Sequence, residues 1–283
     1  MTYNKIMERL QHDYAITRAK YEVLGVFLFG SQNYNCQTDT SDIDTKVIVI
    51  PTLDEMILGH IKINETIPRG DGEITVFDIK HMHDYIKKQN INFLEILFTD
   101  YYIINPKYEM IWSDMRKHAE KIAHLNEFAA VQCINGVFMS KYKKLFRAVS
   151  SNAEAIEKYS YDGKALADCV RLYQVVTHYI LGSSYAECLK LDDEIVDYII
   201  TFKTYKQLFT EEKAREFADF LKDKMDYVVT DYNNTHEEVA NYDVLKMIDR
   251  ITIDCCRAYI NRTLQPELKK LIDELHEADV AAH

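Results

Sequence analysis

Val23-Leu24-Gly25-Val26-Phe27-Leu28-Phe29 runs without a charged residue into Gly30-Ser31. Ten residues later Asp42-Ile43-Asp44-Thr45-Lys46 opens a second apolar run, Val47-Ile48-Val49-Ile50, which is closed by Pro51. Short β-prone runs of this kind predict two buried strands, the second ended by its proline. Side chains alternate faces along a strand, so Asp42 and Asp44 are expected to point one way and Ile43 into the core. Two carboxylates about 7 Å apart on one face repel each other unless a cation lies between them. Hard oxygen ligands beside a phosphate suit Mg2+, which keeps several waters and uses few protein carboxylates. The Gly-Ser bend offers exposed N–H groups and a hydroxyl, and at the glycine no Cβ keeps a phosphate from the main chain. Gly-Ser and Asp-x-Asp each occur in ordinary turns and strand starts. Here they sit at facing ends of two apolar runs, and that placement joins them into one candidate site.

Outward from this centre, residues 3–20 place Ile6, Leu10 and Tyr14 at helical spacing. A turn at Arg69-Gly70-Asp71-Gly72 introduces a third strand, Ile74-Thr75-Val76-Phe77, and residues 80–88 read as a helix. Residues 92–98 form an apolar element of ambiguous type. Beyond Pro106 only Pro266 follows, and apolar residues recur at 3–4 spacing, as in Val170/Tyr173/Val176/Ile180. This half is expected to be all helical, with turns near residues 150–152, 162–163, 182–184 and 231–234. The fold class is therefore α+β: a small mixed sheet with helices in residues 1–105, then a helical domain in residues 106–283.

Composition narrows the function classes. Of 283 residues, 47% are apolar and 28% charged, as in a globular protein, and eight Gly and four Pro leave little for long linkers. The net charge of −11 argues against a protein that coats nucleic-acid backbone, which draws its affinity from phosphate neutralisation. Six scattered cysteines without C-x-x-C spacing, a charged opening segment and the lack of an apolar run of about 18 residues predict a cytoplasmic chain without a membrane span. No H-E-x-x-H, Walker A or G-x-S-x-G motif is present.

G-S-x10-D-x-D between two strands resembles the signature of the DNA polymerase β nucleotidyltransferase superfamily. The longer string Gly30-Ser31-Gln32-Asn33-Tyr34-Asn35 with Ser41-Asp42-Ile43-Asp44 resembles its RNA-repair-associated branch. So do Asn90-Ile91-Asn92-Phe93-Leu94-Glu95-Ile96-Leu97, and Lys164 with Arg171-Leu172. Asn35 stands where that branch has Gly, Ile91 where it has Pro, and Asp168 where it has His. The resemblance implies transfer of a nucleoside monophosphate from an NTP to an acceptor hydroxyl with release of pyrophosphate. It also implies two Mg2+ ions, or Mn2+ in their place, on Asp42, Asp44 and a third carboxylate.

Glu73 at the start of the third strand is the favoured third carboxylate, and Asp78 at its end is the alternative, read otherwise as a helix N-cap. Gly30 and Ser31 are expected on the phosphates. Tyr34 is expected beside the nucleotide or simply packed, and Lys46, on the face shared with Asp42 and Asp44, to neutralise phosphate or form a strand-end ion pair. From the helical half, Lys141 and Lys144 of the basic run 141–147 are expected to wall the triphosphate or an RNA end, or else to form a solvated helix face, and Lys164 and Arg171 are expected on the triphosphate. An RNA or tRNA end is the expected acceptor. The competing readings are nucleotidylation of a small molecule or a protein side chain, and a non-catalytic nucleotide sensor. Oligomeric state is not legible in the sequence.

Overall fold

A computed structural model describes residues 3–38, 41–59, 63–70, 72–204 and 209–281. Helix α1 (Tyr3–Arg18) leads into β1 (Glu22–Phe29), a 3-10 turn (Ser31–Tyr34) and β2 (Asp44–Ile50). Then come α2 (Leu53–Leu58), β3 (Asn64–Arg69), β4 (Gly72–Asp78), α3 (Ile79–Lys87), α4 (Ile91–Leu94), a 3-10 turn (Glu95–Leu97) and β5 (Tyr102–Ile104). The five strands form one mixed sheet in the order β3-β4-β2-β1-β5. β1 is antiparallel to both β2 and β5, β3 is antiparallel to β4, and β2 runs parallel to β4.

The rest of the chain is helical: α5 (Glu109–Lys117), α6 (Ala119–Ala123), α7 (Glu127–Lys144), α8 (Ala153–Tyr159), α9 (Gly163–Ile180), α10 (Tyr185–Cys188), α11 (Asp193–Thr204), α12 (Glu211–Thr235) and α13 (Tyr242–Ala281). The structure thus has the expected α+β arrangement, a small mixed sheet followed by helices.

Both central strands are buried on both faces, which is why their sequences are continuously apolar rather than alternating. One face carries Val26, Leu28, Val47, Val49, Ile74 and Val76 and is covered by Ile6 and Leu10 of α1. The opposite face carries Leu24, Phe27, Ile48 and Ile50. It merges with α3, residues 91–97 and the helical half in one continuous core that reaches Val244 and Cys255 of α13. Polar bonds also tie α13 to the sheet half: Arg262 donates to Glu22 at 2.8 Å and to the Tyr108 hydroxyl at 2.7 Å, and His83 and Lys87 both reach Asp249.

Three departures from the sequence reading are instructive. β3 and β5 lie at the two edges of the sheet, where short, half-exposed segments show little apolar pattern; Pro68 in β3 fits an edge. α2 buries no residue and is defined by its Thr52–Glu55 capping box. The turn expected at residues 231–234 lies inside α12, because Val229 and Tyr232 continue its buried stripe and the helix ends only at Thr235. Among the described residues, no helix is long and apolar enough to cross a membrane.

Candidate active site

β1 is followed by Gly30, whose φ of 91° and ψ of −153° belong to a region open essentially to glycine. Past it the chain winds into the 3-10 turn. The turn is anchored from below by a buried carboxylate to which sequence reasoning assigned no role, Glu95. Glu95 accepts from Gly30 N at 3.3 Å, from Asn33 Nδ2 at 3.1 Å and, in a short hydrogen bond, from the Tyr34 hydroxyl. Asn33 is fixed further by donating to Leu28 O at 3.0 Å and accepting from Thr99 Oγ1 at 2.8 Å. The bend is therefore held by hydrogen bonds within the chain itself.

Asp44 is the first residue of β2, and Asp42 lies just before the strand rather than in it. Asp44 shares a sheet face with Lys46 and Ile48. The parallel register pairs Thr45 with Ile74, so Glu73 falls beside Asp44 and, with Thr75 and Phe77, on the same face. Glu73 N donates to Asp44 Oδ1 at 3.1 Å. Such closeness depends on Gly72 (φ 134°), where an added Cβ would run into the Ile43 carbonyl and lie 2.9 Å from Asp44 Oδ1. Gly72→Ala is expected to lower stability by about 1–3 kcal/mol, read as a lower urea midpoint at unchanged slope. Across the gap, a Cβ on Gly30 would lie 4.0 Å from Asp44 Oδ2, so bare main chain faces that oxygen. Burial raises the Asp44 carboxyl above its ordinary range; the Glu73 N–H and Lys164 oppose that rise, and Asp42 adds to it.

Lys164 is exposed in the first turn of α9, near enough to act on Asp44. Its helix start is built by Asp162, whose carboxylate accepts from the N–H groups of Lys164 and Ala165. Further along α9, Arg171 stacks over the Tyr34 ring at 4.6 Å and lies 4.0 Å from Asp168; its buried Nη1 has no hydrogen-bond partner among the described residues. Asp168 also receives Lys141 at 2.6 Å, and these cations hold its carboxyl below the usual range despite burial. A further cation, Lys203 of α11, donates to Cys36 O at 2.9 Å, just past the turn. Nothing in the sequence singles out Lys203, an isolated lysine on an amphipathic helix. Glu95 did carry a signal, since it lies in the motif read at residues 90–97.

The other expected residues fall elsewhere. Tyr34 is packed beneath the turn, with its ring under Arg171 and its hydroxyl on Glu95, so it is not free to stack on a base. Lys46 is buried, donates to the Asn92 carbonyl and lies 4.1 and 4.3 Å over the Phe29 and Phe93 rings. Burial brings its pKa down to about 8, against the pull of Glu95. It supports the turn from inside and does not reach the face that a phosphate would meet. Lys144 is exposed at the end of α7. Asp78 is the N-cap of α3: it accepts from His81 N at 2.9 Å and from Ile63 N at 2.8 Å, and its strand partner is Val49, far along β2 from Asp44.

No family model matches the chain. No curated protein matches it either. Among solved structures it is similar to a nucleotidyltransferase-like protein from Exiguobacterium sibiricum 255-15, at 14% identity, over 96% of this chain and 92% of that one, with a TM-score of 0.30.

Among the described residues, no three His, Cys, Asp or Glu side chains converge as a ready cluster. Asp44 accepts from Glu73 N, however, and Asp42 and Glu73 beside it are exposed. That set of hard oxygens, with open water access, fits Mg2+ better than a metal that needs a closed cage.

Proposed function

We propose that this chain is a metal-dependent nucleotidyltransferase of the DNA polymerase β type, cytoplasmic, and that it moves a nucleoside monophosphate from an NTP to the end of an RNA such as a tRNA. The observation that supports this most strongly is the gap between Gly30 and Asp44. On one side is a pre-formed bend without a side chain, on the other a half-buried carboxylate with Glu73 beside it, and Lys164 is close by.

In this reading Gly30 and Ser31 receive the terminal phosphates through N–H and hydroxyl donors, and Lys164 balances their charge. Arg171 and Lys203, with Lys141 behind Asp168, make the wall on the helical side. Asp44, Asp42 and Glu73 hold the magnesium, which when bound activates the acceptor hydroxyl and neutralises the triphosphate. The acceptor oxygen bonds to the α-phosphorus, the bond from that phosphorus to the bridging oxygen breaks, and pyrophosphate leaves. Glu73 takes the hydroxyl proton. Positioning and charge neutralisation carry most of such a reaction. The residues to about 105 form the catalytic unit, and those from 106 the part that closes over the nucleotide. Lys143 and Lys144 at the end of α7 and Arg147 just past it, all exposed, supply a local basic surface for RNA on an otherwise acidic chain.

Incubation with labelled NTPs and Mg2+, first with total tRNA and then with protein, tests the reading. Label is expected in the RNA fraction, with stoichiometric pyrophosphate. Label in protein would replace RNA as the acceptor, and NTP binding without pyrophosphate from any acceptor would leave only a sensor.

A further inference from the structure

The two edges of the sheet are guarded differently. β3 carries Pro68, which has no N–H to offer, and the charged Glu65 and Arg69. Such residues keep an open edge from pairing with another chain. β5 is Tyr102-Ile103-Ile104, half-buried throughout and without proline or charge, and it is the last strand on its side among the described residues. Its register fixes which main-chain groups face outward. Leu28 N donates to Tyr101 O and Asn105 N to Leu24 O, both at 2.9 Å, and Ile103 lies opposite Val26. Antiparallel strands bond through alternate residues, so Tyr101, Ile103 and Asn105 face β1, and the N–H and C=O groups of Tyr102 and Ile104 point away from it. A cavity of about 620 Å3 lies along these two residues, with α5 as its other wall. Both ends of this edge are charged. Arg116 lies 4.5 Å over the Tyr102 ring with Lys117 next to it, and Glu109 stands at the Ile104 end. The exposed Asp100 precedes Tyr102, and the exposed Lys107 follows Ile104. Within one chain Arg116 is 3.8 Å from Asp100 and Lys107 is 3.6 Å from Glu22, partly exposed pairs that hold their charges only weakly.

We propose that this edge pairs with the β5 edge of a second copy of the chain, antiparallel across a two-fold axis at Ile103, so that two five-stranded sheets become one. Tyr102 of each copy then exchanges both main-chain hydrogen bonds with Ile104 of the other. Residues directly opposed in an antiparallel pair share a face, so the Tyr102 and Ile104 side chains of the second copy lie against the cavity beside α5. The two-fold sets each end of the edge against the opposite end of its copy, as an isologous contact requires. The charges match under that operation. Arg116 and Lys117 meet Glu109 of the second copy, and Asp100 meets its Lys107. An in-register parallel pairing would set like against like, so the charges select the antiparallel one.

The test is sedimentation velocity on the full chain across a dilution series, with amide hydrogen exchange on the same samples. A dimer is expected, in which the Tyr102 and Ile104 amides are protected; dilution should expose them while the Ile103 amide, bonded within the sheet, stays protected. Lys117→Glu and Glu109→Lys, both at exposed positions, should each weaken dimerisation about tenfold, and the double variant should restore it, because the two charges meet across the axis. Asp44→Asn should dimerise like the parent, so the outcome is independent of nucleotidyl transfer. A chain that stays monomeric up to hundreds of micromolar leaves the edge to a segment of some other protein and overturns the proposal. So does a dimer whose Tyr102 and Ile104 amides exchange as in the monomer, or a double variant that pairs no more tightly than the single ones. Sedimentation and exchange on the unaltered chain decide the matter even if a variant does not fold.

Discussion

Asp44→Asn is expected to reduce pyrophosphate release from labelled NTP by more than about 100-fold while leaving the protein folded. Loss of an outer partner of a metal ligand commonly costs 10–100-fold, and loss of a ligand itself costs more. The amide keeps the shape of the carboxylate and can still accept from Glu73 N, so the β2–β4 junction is preserved. It also removes a half-buried negative charge whose desolvation works against folding. The melting temperature should therefore stay level or rise. A variant that consumes NTP at the original rate would disprove the assignment of metal to this end of β2.

Glu95→Ala should give the largest loss of stability, about 3–5 kcal/mol, the range for breaking a buried ionic network on one side. Its carboxylate is the common acceptor for Gly30 N, Asn33 and Tyr34, and the counter-charge for buried Lys46 and for Arg171. Truncation removes the acceptor of Gly30 N and of the Tyr34 hydroxyl, one of two acceptors of Asn33, and the counter-charge of Lys46. Glu95→Gln retains the shape and one acceptor oxygen and should fall between the parent and the alanine variant in urea unfolding. If the alanine variant unfolds at the parent's midpoint, the turn does not depend on this carboxylate.

The two central strands and the acid-bearing bend were legible because burial on both faces writes itself as unbroken apolar runs, and the Gly-Ser and Asp-x-Asp pairs punctuate them. Helix was legible after residue 106 from its periodicity. The edge strands were not, since half-exposed segments such as Asn64–Arg69 need no apolar stripe. Lys46 shows a different limit. Alternation correctly placed it on the face of Asp44, but that face turns from solvent to core within two residues, and only packing by Phe29 and Phe93 reveals where. Lys203 is opposite the turn only because α11 packs along α9. No local pattern could report that.

The attachment of α13 to the sheet half bears on how the molecule is made. Until that helix leaves the ribosome, Glu22, Tyr108 and the outer surface of α3 lack their clasp, although every strand has already been synthesised. The nascent sheet thus waits for a segment more than a hundred residues downstream. During that interval its half-covered surface is the natural target of a holding chaperone.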